Sequence, residues 1–241
     1  MRTKALILAA GEGTRLRPLT HSTPKAMAPL NGKPLLAYHL DAMKKCGVTE
    51  ILINTHWLPE PIKDFCARQT DLAINVVFEE RLRGSAGTLF DNRDFFADAD
   101  EVIVIYGDVL TNLNYSALLA SHRQGKTLAT VVCHRVTNVG EKGMVVSNEE
   151  DRILSFVEKP VPEKIVSDFV NGGIYVLDRK LLDYWPRLER RPLDFGHDIF
   201  PFMLEQRLPI FAYRLNDEFL LDIGTTETYD QAQRIINKLI F

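Results

Sequence analysis

Short apolar-rich stretches recur along this chain, each followed by a segment with helical spacing, and that alternation limits the fold more than any other feature. Ala5–Ala9, Glu50–Asn54, Ile74–Phe78, Val102–Tyr106 and Leu128–Cys133 read as strands. Between them, Leu36, Leu40 and Met43 fall at helical spacing, with Pro34 suited to a first helical position and Gly47 to a stop. Pro59–Arg68, Ser85–Asn92 and Asn114–Gln124 read as further helical segments. Apolar strands separated by helices specify an α/β fold: a Rossmann-like mixed, mainly parallel central sheet with helices on both faces. In such a sheet, ligands bind in the crevice at the carboxyl ends of the strands.

From about Gly143 the pattern changes. Met144–Ser147, Ile153–Val157 and Gly173–Leu177 are short and look antiparallel, which predicts a small antiparallel part. Thr225 is placed to cap a final helix whose inner face is Tyr229, Ala232, Ile236 and Leu239. With 241 residues the chain suits a single domain (1–241), whose amino-terminal part runs to about 135 and whose second part covers about 136–241. No internal repeat or low-complexity tract interrupts it, and no hexapeptide-repeat pattern follows that would predict a β-helical extension.

A formal net charge of -3 argues against nucleic acid or an anionic membrane as the main partner, since both favour a basic excess. Cys46, Cys66 and Cys133 form no CxxC pair and read as reduced thiols. The apolar run before Gly11 is too short for a membrane span and lacks the layout of a signal peptide, so the expected location is cytoplasmic.

The loop Ala9-Ala10-Gly11-Glu12-Gly13-Thr14-Arg15-Leu16 follows the first strand. Two glycines there let the backbone approach a ligand closely and turn its amides toward phosphate oxygens. Leu16 stands where a third glycine would complete a dinucleotide fingerprint, and no Gly-Lys-Ser/Thr closes a Walker loop. Arg15, Arg17 and Lys25 crowd the same loop. Three cations beside a glycine turn at the ligand-binding edge point to an anion site.

The stretch from Leu8 through Gly11-Glu12-Gly13-Thr14-Arg15-Leu16-Arg17-Pro18-Leu19-Thr20, with Pro24-Lys25, Pro29-Leu30 and Gly32-Lys33-Pro34, resembles the sugar-1-phosphate nucleotidylyltransferases. Further matches run to the C-terminus. The resemblance implies that Leu8, Ala9, Ala10, Gly11, Gly13 and Thr14 bind the nucleotide. It also implies that Arg15 clamps the β- and γ-phosphates and that Lys25 contacts the α-phosphate under attack. Ala26-Met27 departs from many members, which bears on substrate choice.

Gly107-Asp108 ends an apolar strand, and a carboxylate there can hold Mg²⁺, a hard cation content with one or two carboxylates plus phosphate oxygens. Asp222, in Leu221-Asp222-Ile223-Gly224, offers a partner, and the resemblance assigns both to metal. Asp98-Ala99-Asp100 precedes its strand and so belongs at the amino edge, as a solvated turn.

For the sugar 1-phosphate, the resemblance points to Gly143, Glu158, Lys159, Asn171 and Gly172. Lys159 would hold the phosphate, and Glu158 and Asn171 the hydroxyls. Glu79-Glu80-Arg81-Leu82-Arg83-Gly84-Ser85-Ala86-Gly87 resembles the segment that reads the base, and is similar to that of mannose- and heptose-type guanylyltransferases. A carboxylate from Glu79 or Glu80 can accept both N1–H and the N2 amino group of guanine, but only one imide N–H of uracil or thymine. The ranking is guanine, then uracil or thymine; for the sugar, mannose or manno-heptose.

Two other readings stand beside this one: a glycosyltransferase that consumes a nucleotide sugar, and a regulator that binds nucleotide without turnover. The first lacks a DxD after a strand. The second is at odds with the presence of Arg15, Lys25, Asp108, Asp222 and Lys159. Homo-oligomers are common in the resembled family, though the sequence shows no apolar stripe to name as an interface.

Overall fold

The computed structural model describes residues 1–184 and 192–236. It is a mixed α/β protein built on a mainly parallel central sheet, with helices and small antiparallel pairings. Its residues group into two compact units.

The glycine-loop unit takes 3–82, 104–115 and 218 onward. Strand Thr3–Leu8 runs parallel to Glu50–Thr55, with Leu6 opposite Leu52, and Glu50–Thr55 runs parallel to Ala73–Phe78. Ala5, Leu6, Ile7, Ile51, Leu52 and Ile53 are fully buried, which is why these strands read as continuous apolar runs rather than alternating ones. Each of the leucine and isoleucine side chains contributes about 1.5–3 kcal/mol of burial free energy. Ala73–Phe78 ends the strand order and is only partly covered, leaving Phe78 52% exposed.

Helix Leu35–Lys45 buries Leu35, Leu36, Tyr38, His39, Leu40 and Met43. Pro34 sits one residue ahead of it, at the cap, and Gly47 takes φ +80 just past its end. The last helix, Thr226–Ile235, starts at a reciprocal cap in which the Thr225 and Thr228 side chains each bond the other's backbone. Ala232 and Ile236 bury against Leu16, Leu30, Leu35, Tyr38, Leu110 and Ile223, with Tyr229 packed alongside. The fourth residue of the expected face, Leu239, lies outside the described residues.

The antiparallel unit takes 83–103 and 116–217 with the first two residues. Ile153–Glu158 pairs antiparallel with Gly143–Ser147, and Phe169–Asp178 pairs antiparallel with Ala129–Arg135. Ile210–Arg214 then runs parallel to Ala129–Arg135. Tyr175, Phe195 and Phe200 form an aromatic core, with ring centroids 5.0 to 5.7 Å apart. Asp98 and Asp100 sit on an exposed turn ahead of strand Glu101–Tyr106, where the Arg2 amide donates to Asp100 Oδ2 at 2.6 Å. The Asp-x-Asp sequence thus anchors backbone at the amino edge. No helix among the described residues is long and apolar enough to cross a membrane.

Candidate active site

In the glycine-loop unit the chain leaves strand Thr3–Leu8 into a loop stapled to its surroundings. Gly13 is left-handed at φ +62, and a Cβ there would stand 2.9 Å from Thr20 Cγ2, so glycine is required on both counts. Thr20 Oγ1 donates to the Gly13 carbonyl at 2.8 Å, and Trp57 Nε1 donates to the Thr20 carbonyl at 2.9 Å. Leu16, 2% exposed, anchors the following turn in the core and leaves Thr14 and Arg15 on the surface. Gly11 is exposed with open space where a Cβ would go. Ala9 differs from the expected phosphate cradle, because its amide donates inward to Asn54 Oδ1 at 2.8 Å.

Asn54 links two parts of this edge. It takes the Ala9 amide on one side, and its Nδ2 donates to Glu79 Oε1 at 3.0 Å on the other. Glu79 is 2% exposed and its carbonyl lies 2.7 Å from His56 Nδ1, whereas Glu80 is exposed. Of the two neighbouring glutamates, only Glu79 turns inward.

Gly107 and Asp108 follow strand Glu101–Tyr106. The Gly107 amide donates to the Leu8 carbonyl, and a Cβ on Gly107 would stand 2.8 Å from that same oxygen. Behind the turn lies His39, 3% exposed and bonded to the Gly107 backbone. Burial drives the His39 pKa down to about 4 even with Asp108 nearby, so the ring is neutral at pH 7.

Strand Val109–Thr111 pairs antiparallel with Leu220–Asp222, setting Asp222 opposite Val109, and the Ile223 amide donates to the Asp108 carbonyl at 2.8 Å. This pairing carries two carboxylates 114 residues apart in sequence to one place. Lys25 Nζ makes a very short contact with Asp108 Oδ2 and lies 3.8 Å from Asp222 Oδ1, with its side chain 14% exposed. A Cβ on Gly224 would come within 3.1 Å of Asp222 Oδ1 and 3.4 Å of Arg15 Nη2, which places the Arg15 guanidinium beside the cluster.

Two carboxylates with adjacent cations form a hard-oxygen donor set. It fits Mg²⁺, which needs few protein ligands when phosphate oxygens complete its shell. Among the described residues no three His, Cys, Asp or Glu side chains gather into a cage, so the protein would hold such an ion only as a partial shell.

A second constellation lies in the antiparallel unit. Gly84, at φ +81, passes so close to Leu193 that a Cβ would stand 2.1 Å from its carbonyl oxygen. That carbonyl accepts from the amides of Ala86 and Gly87 at 3.0 and 3.1 Å, so the start of helix Ser85–Asp91 is already capped. The Ser85 hydroxyl donates to Asp194 Oδ2 at 2.6 Å and accepts from the Phe195 amide at 3.0 Å. The other Asp194 oxygen accepts from the amides of Gly196 and His197, capping the turn Phe195–Ile199.

Glu158 is opposite Gly143 in the strand pairing. Its Oε2 stands 2.7 Å from where a Cβ would be on Gly143, and 2.7 Å from where one would be on Gly196. Two glycines therefore make the room this carboxylate occupies. Burial foremost, and then the Asp194 charge, push its pKa up, against the pull of His197 and Lys159. Lys159 is exposed at φ +47, with its amide bonded to the Lys142 carbonyl. Asn171 donates to Tyr175 Oη at 2.8 Å and accepts from the Gly173 amide, while Gly172 is buried between them in sequence.

The structure thus brings Leu8, Ala9, Arg15, Lys25, Gly107, Asp108 and Asp222 to one end of the glycine-loop unit's strands, with Glu79 joined to Ala9 through Asn54. In the antiparallel unit it sets Gly143 against Glu158, and Ser85 against Asp194. Sequence reasoning missed Asn54, His39 and Asp194. Asn54 and His39 carried a usable signal, a polar residue on an otherwise apolar strand or buried helix face.

Residues 4–238 match the family model described as nucleotidyl transferase. A UTP–glucose-1-phosphate uridylyltransferase of Synechocystis is 33% identical over 96% of this chain and 62% of its own length. A mannose-1-phosphate guanyltransferase of Schizosaccharomyces pombe is 34% identical over 94% of this chain and 62% of its own. The chain thus spans under two thirds of the length of these relatives. A crystal structure of a UDP-glucose pyrophosphorylase with UDP-glucose superposes at a TM-score of 0.85, at 21% identity, covering 99% of both chains; it bears out the fold.

Proposed function

This chain belongs to the nucleotidyl transferase family, and from that premise we propose that it condenses a nucleoside triphosphate with a sugar 1-phosphate, giving a nucleoside diphosphate sugar and pyrophosphate. A phosphate oxygen of the sugar 1-phosphate attacks the α-phosphorus. The bond from that phosphorus to the α–β bridging oxygen breaks, and pyrophosphate leaves with the electron pair. No protein nucleophile is needed, because the sugar phosphate is itself the attacking group.

The observation that carries this reading is the cluster of Lys25, Asp108 and Asp222 with Arg15 beside it. In phosphoryl transfer the protein's task is positioning and electrostatic stabilisation. Arg15 has the donor fork to grip the departing β- and γ-phosphates, and Lys25 supplies a compact charge for the α-phosphate. Asp108 and Asp222 would hold Mg²⁺, which when bound neutralises charge on the phosphate oxygens. Glu158, Lys159 and Asn171 are assigned to the sugar 1-phosphate, with Gly143 and Gly172 giving backbone access.

Guanine is the favoured base, and Glu79 rather than Glu80 is its reader. Glu79 is the glutamate tied to the loop edge through Asn54, and a carboxylate, which only accepts hydrogen bonds, matches the paired N–H donors of guanine. Uracil is the second reading, favoured by the uridylyltransferase among the relatives. The test is pyrophosphate release with Mg²⁺, offering GTP, UTP, dTTP, CTP and ATP against a panel of hexose and heptose 1-phosphates. Release that requires one triphosphate and one sugar phosphate together is the expected outcome. Release from triphosphate alone would overturn the reading, and a strong UTP preference would overturn the base assignment. With three reduced thiols, Cys46, Cys66 and Cys133, the proposed location is the cytoplasm.

A further inference from the structure

The Lys25 ammonium is not held in readiness for a phosphate; it is held by the carboxylates. It contacts Asp108 Oδ2 directly, lies 3.8 Å from Asp222 Oδ1, and is only 14% exposed. The backbone fixes this arrangement from three sides. Lys25 opens a tight turn in which the Met27 amide bonds to the Pro24 carbonyl at 2.7 Å. Asp108 is tied through its carbonyl to the Ile223 amide, and Gly107 through its amide to Leu8. Asp222 is fixed by its strand register against Val109.

A cation and a metal ion cannot share the same carboxylate oxygens without strong repulsion, because like charges a few ångströms apart disfavour one another. We propose that Lys25 is a stand-in cation for the two-carboxylate site: the divalent ion binds Asp108 and Asp222 only as Lys25 leaves them, and Lys25 leaves when the triphosphate offers it a replacement anion. The proposal deepens the reaction above and rests on it. Its consequence is an order of binding. Free metal is excluded from the carboxylates in the absence of nucleotide, and metal and triphosphate enter together, so the ammonium is delivered to the α-phosphate in the event that loads the ion.

The test is direct binding of Mn²⁺ to the protein without nucleotide, followed by the electron paramagnetic resonance of the free ion. Wild type, Lys25→Met, Lys25→Gln, Lys25→Arg and Asp108→Asn are compared, with thermal melting as the check of folding. Removing the charge in Lys25→Met or Lys25→Gln should tighten Mn²⁺ binding about tenfold or more, the size of effect one neighbouring charge has on a carboxylate equilibrium. Lys25→Arg should keep the weak binding of wild type, and Asp108→Asn should abolish the gain in the double variant with Lys25→Met.

A catalytic lysine with no stand-in role predicts the opposite, Mn²⁺ affinity unchanged or weakened when its charge is removed, and that result overturns the proposal. If Mn²⁺ binding tightens but Asp108→Asn leaves it intact, the ion is elsewhere and the assignment of Asp108 itself fails. If Asp108→Asn abolishes binding and the Lys25 variants show no gain, only the stand-in role fails. Should Lys25→Met melt early, Lys25→Gln carries the same comparison with a polar side chain.

Discussion

The two constellations handle carboxylates in opposite ways. In the glycine-loop unit, Asp108 and Asp222 are partly exposed and answered by cations, with Lys25 in contact and Arg15 beside. In the antiparallel unit, Glu158 is sunk between two glycines, beside Asp194, and its pKa is pushed up. The first arrangement suits ions that arrive and leave with charge, such as phosphates and metal. The second suits neutral hydroxyls, to which a half-buried carboxylate flanked by backbone offers acceptor oxygens. Charge density rather than residue type separates the two.

The largest effect should come from removing the charge on one side of this contrast. Asp108→Asn should lower kcat by about 100-fold to 1,000-fold, the range seen when a preorganised electrostatic group is lost. Its melting temperature should stay close to wild type; a large loss of stability with activity retained in the folded fraction would make Asp108 structural.

Next in size is the crowding of Glu158. Gly143→Ala puts a methyl 2.7 Å from Glu158 Oε2, so the carboxylate must move. Steady-state kinetics should show KM for the sugar 1-phosphate raised about tenfold or more with KM for the triphosphate unchanged, since displaced contacts of this kind act on binding. Equal effects on both substrates would erase the contrast between the two constellations.

Glu79→Gln tests the base assignment. The GTP-to-UTP ratio of kcat/KM should fall by about 10-fold to 100-fold, the worth of about one charge-assisted hydrogen bond. An unchanged ratio would remove Glu79 from base reading.

The pH dependence follows from Glu158. Because its folded pKa is raised, the native state holds more protons than the unfolded chain between the ordinary value of 4.5 and the raised one. Stability from this group is therefore present at low pH and lost as pH rises through the folded pKa. Glu158→Gln should flatten that fall in denaturant titrations above pH 4.5; an unaltered slope would contradict the upward shift.

The smallest effect belongs to Asp98→Asn, on the exposed turn at the amino edge. Stability should change by about 0.5 kcal/mol or less, with turnover unchanged. A drop in turnover there would reinstate the Asp-x-Asp as a working motif.

The strands and helices of the glycine-loop unit were legible because their apolar runs are local. The cap at Thr225, the stop at Gly47 and the antiparallel change near Gly143 were legible for the same reason. The ion cluster was legible only in part. Arg15, Lys25, Asp108 and Asp222 could each be named, but nothing in the linear chain shows that Lys25 clasps both carboxylates, because a strand pairing between 109–111 and 220–222 creates the contact. Asn54 was missed because its partners, the Ala9 amide and Glu79, are 45 and 25 residues away. Asp194 was missed because its role is to bond Ser85, 109 residues earlier. Gly84 could be named for the nucleotide only from the resemblance, and its close approach to Leu193 could not be read from the sequence, because that partner is 109 residues away.

The pairing of Val109–Thr111 with Leu220–Asp222 also bears on how the protein comes off the ribosome. The parallel strands 3–8, 50–55 and 73–78 can associate early in synthesis, but Asp222 is the last of the charged cluster to be made. At about 5–20 residues per second, some seconds to tens of seconds separate Asp108 from Asp222. Through that interval a nascent chain carries the glycine loop and Lys25 with a single carboxylate. The half-made site can hold Lys25 to Asp108, and the second ligand for an ion arrives only once residue 222 has been made.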